Sequence, residues 1–181
     1  MKTLTLLRHA KSGWDDPVAR DFDRPLNAKG MRAAIVMGRK FREMGLSVDR
    51  LVASPAVRVM QTLDGFFEGY GATIEPIWDR RIYLASSSTL LDIVRETHAD
   101  VANLMLVGHN PGLEDLILDL VADDGSSPLR DIVETKLPTA SLARMSWRGE
   151  DWSALDARSG MTLDTLVRPR DLDPKLGPDA E

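Results

Sequence analysis

The stretch NLMLVGHNPG, residues 103–112, decides the fold class. Its first half, Asn103–Val107, is an unbroken run too short for a helix and long enough for a strand buried on both faces. Gly108 to Gly112 stops that run with turn-forming residues. Apolar side chains then resume at helical spacing in Leu113, Leu116, Ile117 and Leu120. A strand covered on both faces and followed at once by a helix is one unit of an α/β sheet.

The same reading holds on both sides of it. TLTLL, residues 3–7, forms a strand that stops at Arg8. Pro25–Ser47 predicts a helix, with Asn27 as N-cap, Met31, Ala34, Ile35 and Phe41 on the apolar face, and Gly45 closing it. Arg50–Ala53 forms a second strand. Ser54 and Pro55 then have the pattern of an N-cap and first-turn proline, ahead of a helix through Val59, Met60, Leu63 and Phe67 toward Gly69. Ile74–Trp78 is a third strand, and Ser87 or Ser88 caps a helix carrying Leu90, Leu91 and Val94. A short helix is predicted over Leu129–Thr135. Ala140–Trp147 and Trp152–Ala157 read as two strands joined by a hairpin turn at residues 148–151. Strands alternating with helices predict an α/β three-layer sandwich, with a mostly parallel central sheet and one antiparallel edge strand. One domain is expected over residues 1–168, with 169–181 an extended or mobile tail punctuated by Pro169, Pro174 and Pro178.

Composition narrows the chemistry. The 181 residues hold 23 Lys and Arg against 28 Asp and Glu, a net charge of −5, which argues against a nucleic-acid partner. There is no Cys, so disulfides, thiolate metal sites and a thiol nucleophile are excluded. No stretch approaches the ~18 consecutive apolar residues of a membrane span, and the first residues lack a signal-peptide pattern. A soluble, cytoplasmic protein is expected. Any bound anion must be held by a local cluster of cations.

Such a cluster is legible. Arg8-His9, Ser54 to Arg58, and Gly108-His109-Asn110 each follow a predicted strand without a gap. Loops at the carboxyl ends of parallel strands share one edge of the sheet, where ligands bind. That edge therefore receives Arg8, His9, Arg58 and His109, two of the three histidines in the chain. Arg58 sits in the first turn of its helix, an end that repels a cation and welcomes an anion shared with the arginine. Two guanidiniums can grip phosphate oxygens in bidentate fashion. One neutral imidazole can attack phosphorus in line, and the other can donate a hydrogen bond to the equatorial oxygens. A metal built on the two histidines is not expected, because the arginines would repel a dication.

Leu7-Arg8-His9-Ala10-Lys11-Ser12, Asp23-Arg24-Pro25-Leu26-Asn27 with Gly30, Ser54 to Arg58 with Gln61-Thr62, and Gly108 to Gly112 together resemble the histidine phosphatase superfamily, in its short, SixA-like phosphohistidine phosphatase branch. The resemblance extends from Lys2 to about Trp147. It implies a phosphoglycerate-mutase-like fold and no cofactor. It makes His9 the nucleophile that carries a phosphohistidine intermediate, and it makes Arg8, Arg58 and His109 the phosphate pocket. Arg24 matches the arginine of the branch's Arg-Pro-Leu segment and would lie at the pocket mouth, unless it serves instead in a salt bridge to Asp23.

The chain departs from the family at the proton donor. Many members carry a Glu after the third strand, where this sequence reads Trp78-Asp79-Arg80-Arg81-Ile82-Tyr83. Asp79 beside two arginines would be ionised, so Asp21 is the preferred candidate acid. A weak or absent acid fits phosphohistidine, whose imidazole leaving group needs less help than an alkoxide. The chain also lacks an insertion long enough to close over a small metabolite. The expected partner is therefore a phosphohistidine-bearing protein, with a small phosphoester or a non-catalytic phosphate-recognition role as alternatives. Lys11, Ser12 and Trp14 follow the nucleophile and would line the entrance, Trp14 reading more as a packing residue. His98 is expected at a helix C-terminus with no catalytic role, and the pair Asp123-Asp124 reads as a solvated turn.

Overall fold

Leu4 and Leu6 face one side of the molecule's central sheet and Leu7 the other. The alternation recurs in the neighbouring strand, where Leu104 and Leu106 join the first apolar cluster and Met105 and Val107 the second. These strands are buried on both faces, as their apolar runs require. The computed structural model describes residues 1–13 and 20–178. Its sheet has six strands: β1 (Lys2–Arg8), β2 (Arg50–Ala53), β3 (Pro76–Trp78), β4 (Asn103–Gly108), β5 (Leu142–Trp147) and β6 (Thr162–Val167), in the order β3-β2-β4-β1-β5-β6. Helices α1 (Ala28–Glu43) and α2 (Val57–Tyr70) cover the face of Leu7. Helices α3 (Ser87–Arg95), α4 (Gly112–Leu120) and α5 (Pro128–Thr135) cover the face of Leu4. The three-layer α/β sandwich expected from the sequence is present.

Several local expectations need correction. The strand that runs against the others is β5, which is antiparallel to both β1 and β6. It lies one place in from the edge, and β6 takes the edge itself. Trp152–Ala157 is not a strand. Residues Trp152–Ala154 form a 3-10 turn that Asp151 caps by accepting from Ser153 N, and Trp152 is fully buried with its Nε1 donating to the Val101 carbonyl at 2.7 Å. The indole is used as a plug, not as a rung of the sheet, so the hairpin turn expected at residues 148–151 gives way to a longer excursion. β3 is shorter than the predicted 74–78, since Ile74 packs into the core ahead of it. The segment expected to trail as an extended tail turns back on α1. α6 (Pro169–Leu172) and a 3-10 turn at Pro174–Leu176 both carry proline in the first turn, and they seat Leu172 and Leu176 against the second cluster. The prolines start helical turns here, where their missing N–H costs nothing.

Among the described residues, no helix is long and apolar enough to cross a membrane. The topology creates one crevice. The chain leaves β1 toward α1 on one face and leaves β4 toward α4 on the other, while β1 and β4 are parallel neighbours. Adjacent strands whose loops part to opposite faces open a cleft at their carboxyl ends.

Candidate active site

The register places the two histidines side by side. Arg8 pairs with Gly108, so His9 and His109 are the next residues on adjacent strands. Their ring centroids lie 5.3 Å apart. The His9 backbone is gripped from both sides, its N–H on the Gly108 carbonyl at 3.0 Å and its carbonyl accepting from Ala140 N at 2.9 Å. Gly30 lets α1 press on the loop that follows. A Cβ there would sit 2.1 Å from the Lys11 carbonyl oxygen, which also accepts from Asn27 N at 3.0 Å.

His9 is buried, and its Nδ1 lies 2.7 Å from the Ala10 carbonyl oxygen. A carbonyl can only accept, so Nδ1 carries the proton and Nε2 keeps its lone pair. Burial pushes the imidazolium pKa down to about 3; the Ala10 carbonyl opposes this, while His109, Arg8 and Arg58 add to it. His9 is therefore a neutral ring at physiological pH.

His109 has the opposite tautomer. Its Nδ1 faces Arg58 Nη2 at 3.3 Å, and a guanidinium only donates, so Nδ1 accepts. Its Nε2–H then donates to Ser54 Oγ at 2.8 Å. Burial first, and then the Arg58 charge, lower its pKa to about 4.

Both arginines are anchored with donors to spare. Arg58 is buried on the first turn of α2 and donates Nη1 to the Asp21 carbonyl at 2.8 Å and Nη2 to Asp21 Oδ2 at 3.0 Å. Arg8 donates Nη1 to the Leu137 carbonyl at 2.9 Å. Each Nε is buried and meets no acceptor among the described residues. Thr62 ties α2 to the loop after β1, donating to the Arg58 carbonyl at 2.6 Å and accepting from Ala10 N at 2.9 Å. Asn110 donates to the same Leu137 carbonyl as Arg8, at 2.9 Å, and so shapes its loop.

A cleft of about 510 Å³ brings together Arg8, His9, Arg24, Arg58 and His109, with Lys11 and Ser12 at its edge as the sequence suggested. Trp14 lies outside the described residues. Asp21 also lines the cleft, but as a proton donor it needs correction. Its carboxylate accepts from Tyr83 Oη at 2.8 Å, Arg58 at 3.0 Å and Arg24 Nε at 3.0 Å. Burial works to raise its pKa, yet the Tyr83 hydrogen bond and the Arg58 charge outweigh burial and hold it at about 2. Asp21 is an anchor for the arginines and is ionised at neutral pH. Arg24 pairs with this Asp21 and not with Asp23, which Arg20 takes at 2.9 Å. Asp79 lies outside the cleft lining, held by Arg81 at 2.8 Å. His98 lies just past the end of α3, exposed beside Asp100.

Two participants were not legible beforehand. Ser54, read as a helix cap, is fully buried and orients His109, and the cap position of α2 falls to Ala56. Tyr83 spans Asp21 and His109, its ring edge-on to the imidazole at 5.4 Å and 81°. It comes from the same loop in which a Glu was sought, which is the one sequence signal that pointed to it. Among the described residues, no group of three or more His, Asp or Glu side chains could hold a metal ion.

Comparison with known proteins agrees with this geometry. Residues 4–81 match the histidine phosphatase superfamily (branch 1). An uncharacterized protein of Mycobacterium tuberculosis is 30% identical over 151 residues, 83% of this chain and 92% of its own. Among solved structures, SixA of Nakamurella multipartitia is 31% identical with a TM-score of 0.79, covering 93% of this chain and 96% of its own. SixA of Agrobacterium tumefaciens is 27% identical with a TM-score of 0.77, over 93% and 98%.

Proposed function

Because the chain belongs to the histidine phosphatase superfamily, in the branch that the SixA structures represent, we propose that it is a phosphatase working through a phosphohistidine on His9, with phosphohistidine on another protein as its substrate. The observation that carries this reading is the His9 tautomer. The Ala10 carbonyl accepts the Nδ1–H hydrogen bond and leaves Nε2 as a nucleophile in a cleft walled by Arg8, Arg58 and His109.

In the first step the Nε2 lone pair attacks phosphorus, a P–N bond forms, and the bond to the leaving group breaks. Arg8 and Arg58 direct their spare N–H groups at the phosphoryl oxygens, where such donors strengthen as charge spreads in the transition state. In the second step water attacks the same phosphorus, the P–N bond breaks, and His9 returns with phosphate released. His109 is poised beside these oxygens. Its Nδ1 accepts from Arg58, and a bound dianion would raise its proton affinity and turn Nδ1 into a donor.

The substrate class follows from the leaving group. An alkoxide needs a proton from the enzyme, and the Asp21 carboxylate cannot give one. The imidazole of a phosphohistidine can take its proton from solvent at the open mouth. SixA proteins are named phosphohistidine phosphatases, which supports the same choice.

Rapid quench followed by mass spectrometry should find an acid-labile phosphate on His9, and His9→Ala should lose about a thousandfold or more in turnover. Full turnover by His9→Ala would end the mechanism. A phosphohistidine peptide should exceed a matched phosphoserine peptide in kcat/KM by about a hundredfold, the scale of general acid assistance. Equal rates would remove the substrate assignment while leaving the phosphatase intact.

A further inference from the structure

Beside the cleft lies a second cavity of about 280 Å³, lined by Arg8, Lys11, Lys29, Lys136 and Arg170. These cations come from five separate places: the end of β1, the loop after it, the first turn of α1, the segment after α5, and α6. No acid is among the described residues that line it. In a chain of net charge −5, five cationic side chains drawn from separate elements to one concavity give it a basic lining. Pro169, Leu176 and Pro178 form its apolar wall, so the segment that turned back on α1 closes it. The Lys29 ammonium donates to the Gly177 carbonyl and holds that wall in place.

The cavity adjoins the reaction cleft. Arg8, Lys11 and Thr139 line both. Arg8 is the partition: it ends β1, directly before His9, and its Nη1 donates to the Leu137 carbonyl, next to Lys136. A ligand whose phosphoryl group rests on His9 would therefore extend directly toward the second group of cations.

We propose that this cavity is a second anion subsite, which holds a further phosphate-sized oxyanion on the same substrate that places its scissile phosphoryl group at His9. The assignment rests on the phosphatase reading for its link to turnover, but the binding it describes can be measured without turnover. A lining with the Arg170 guanidinium and the Lys136 ammonium suits a tetrahedral oxyanion better than a single carboxylate, because planar and point-charge donors can share its three oxygens.

The test uses non-hydrolysable probes: propylphosphonate and a series of α,ω-alkane bisphosphonates with spacers of increasing length. Calorimetry on the full chain should show one or more bisphosphonates binding about tenfold tighter than propylphosphonate, the scale of one charge-assisted contact. Lys136→Ala and Arg170→Ala line only the second cavity. Each should reduce that advantage toward unity, with the propylphosphonate affinity and the melting temperature unchanged. Inorganic phosphate titrated against a saturating monophosphonate separates a free anion from a tethered one. The subsite as proposed binds the tethered group far more tightly. Equal affinity of wild type for mono- and bisphosphonates would overturn the proposal, as would variants that weaken both probes alike. An advantage that emerges only once residues 179–181 are removed would also overturn it, making the cavity a seat for the chain's own acidic end. If His9 is never phosphorylated but the bisphosphonate preference stands, the phosphatase reading fails and the subsite survives.

Discussion

Acidification should destabilise this protein through His9, and the size of the effect follows from its surroundings. The ring is 8% exposed, and its pKa falls from the ordinary 6.5 to about 3. Because the folded value lies below the unfolded one, the unfolded chain binds more protons between these limits. Stability is then lost as pH falls from about 6.5 toward 3. At pH 5 the unfolded imidazole is almost fully charged and the folded one is neutral, so this group alone lowers stability by about 2 kcal/mol relative to pH 7. His109, pushed to about 4, adds a loss of similar size over the same interval. Urea unfolding of the wild type and His9→Gln at pH 7 and pH 5 isolates the contribution. Carboxylates and His109 act in both proteins and cancel in the difference. The variant should lose about 2 kcal/mol less than the wild type on going to pH 5. Identical losses would show that His9 is not held neutral, and with that the argument for a nucleophilic Nε2 at neutral pH would fall.

Other expectations rest on single contacts. Ser54→Ala strands the buried Nε2–H of His109, which should cost about 1–3 kcal/mol in denaturant unfolding and about tenfold in kcat/KM. Gly30→Ala forces a Cβ to 2.1 Å from the Lys11 carbonyl oxygen. A loss of about 1–3 kcal/mol in unfolding free energy is expected, together with lower turnover as the loop after His9 shifts. Unchanged stability would mean that the close approach of α1 is not tight. Asp21→Asn should lower kcat by the same several-fold factor for aryl and alkyl phosphates, because Asp21 anchors Arg58 and Arg24 and donates no proton. A loss confined to alkyl phosphates, on the order of a hundredfold, would restore it as the acid.

The layered fold and the four residues at its crevice were readable in advance because both depend on local signals. The unbroken runs at residues 3–7 and 103–107 report burial on two faces, and Arg8, His9, Arg58 and His109 each follow such a run. In a parallel sheet, the carboxyl ends of the strands necessarily share an edge. The errors fall where a local pattern had two physical meanings. An apolar Trp152 can rest in a strand or plug a core, and only its hydrogen bond to Val101 distinguishes the two. Proline-rich residues 169–178 can trail away or begin helical turns, and the outcome depends on whether α1 offers a surface for Leu172 and Leu176.

The sequence by itself determined that this is an α/β chain without cysteine, with two of its three histidines and several cations at one sheet edge. The His9 tautomer is set by its neighbour Ala10, but the states of Asp21 and His109 were decided by tertiary structure. Tyr83 reaches Asp21 across 62 positions of sequence, and Ser54 reaches His109 across 55. Those bonds help hold the Asp21 pKa down and set which nitrogen of His109 holds its proton. Side-chain polarity is written residue by residue, but the partner that fixes a proton is chosen by crossovers of the whole sheet, and no local pattern records it.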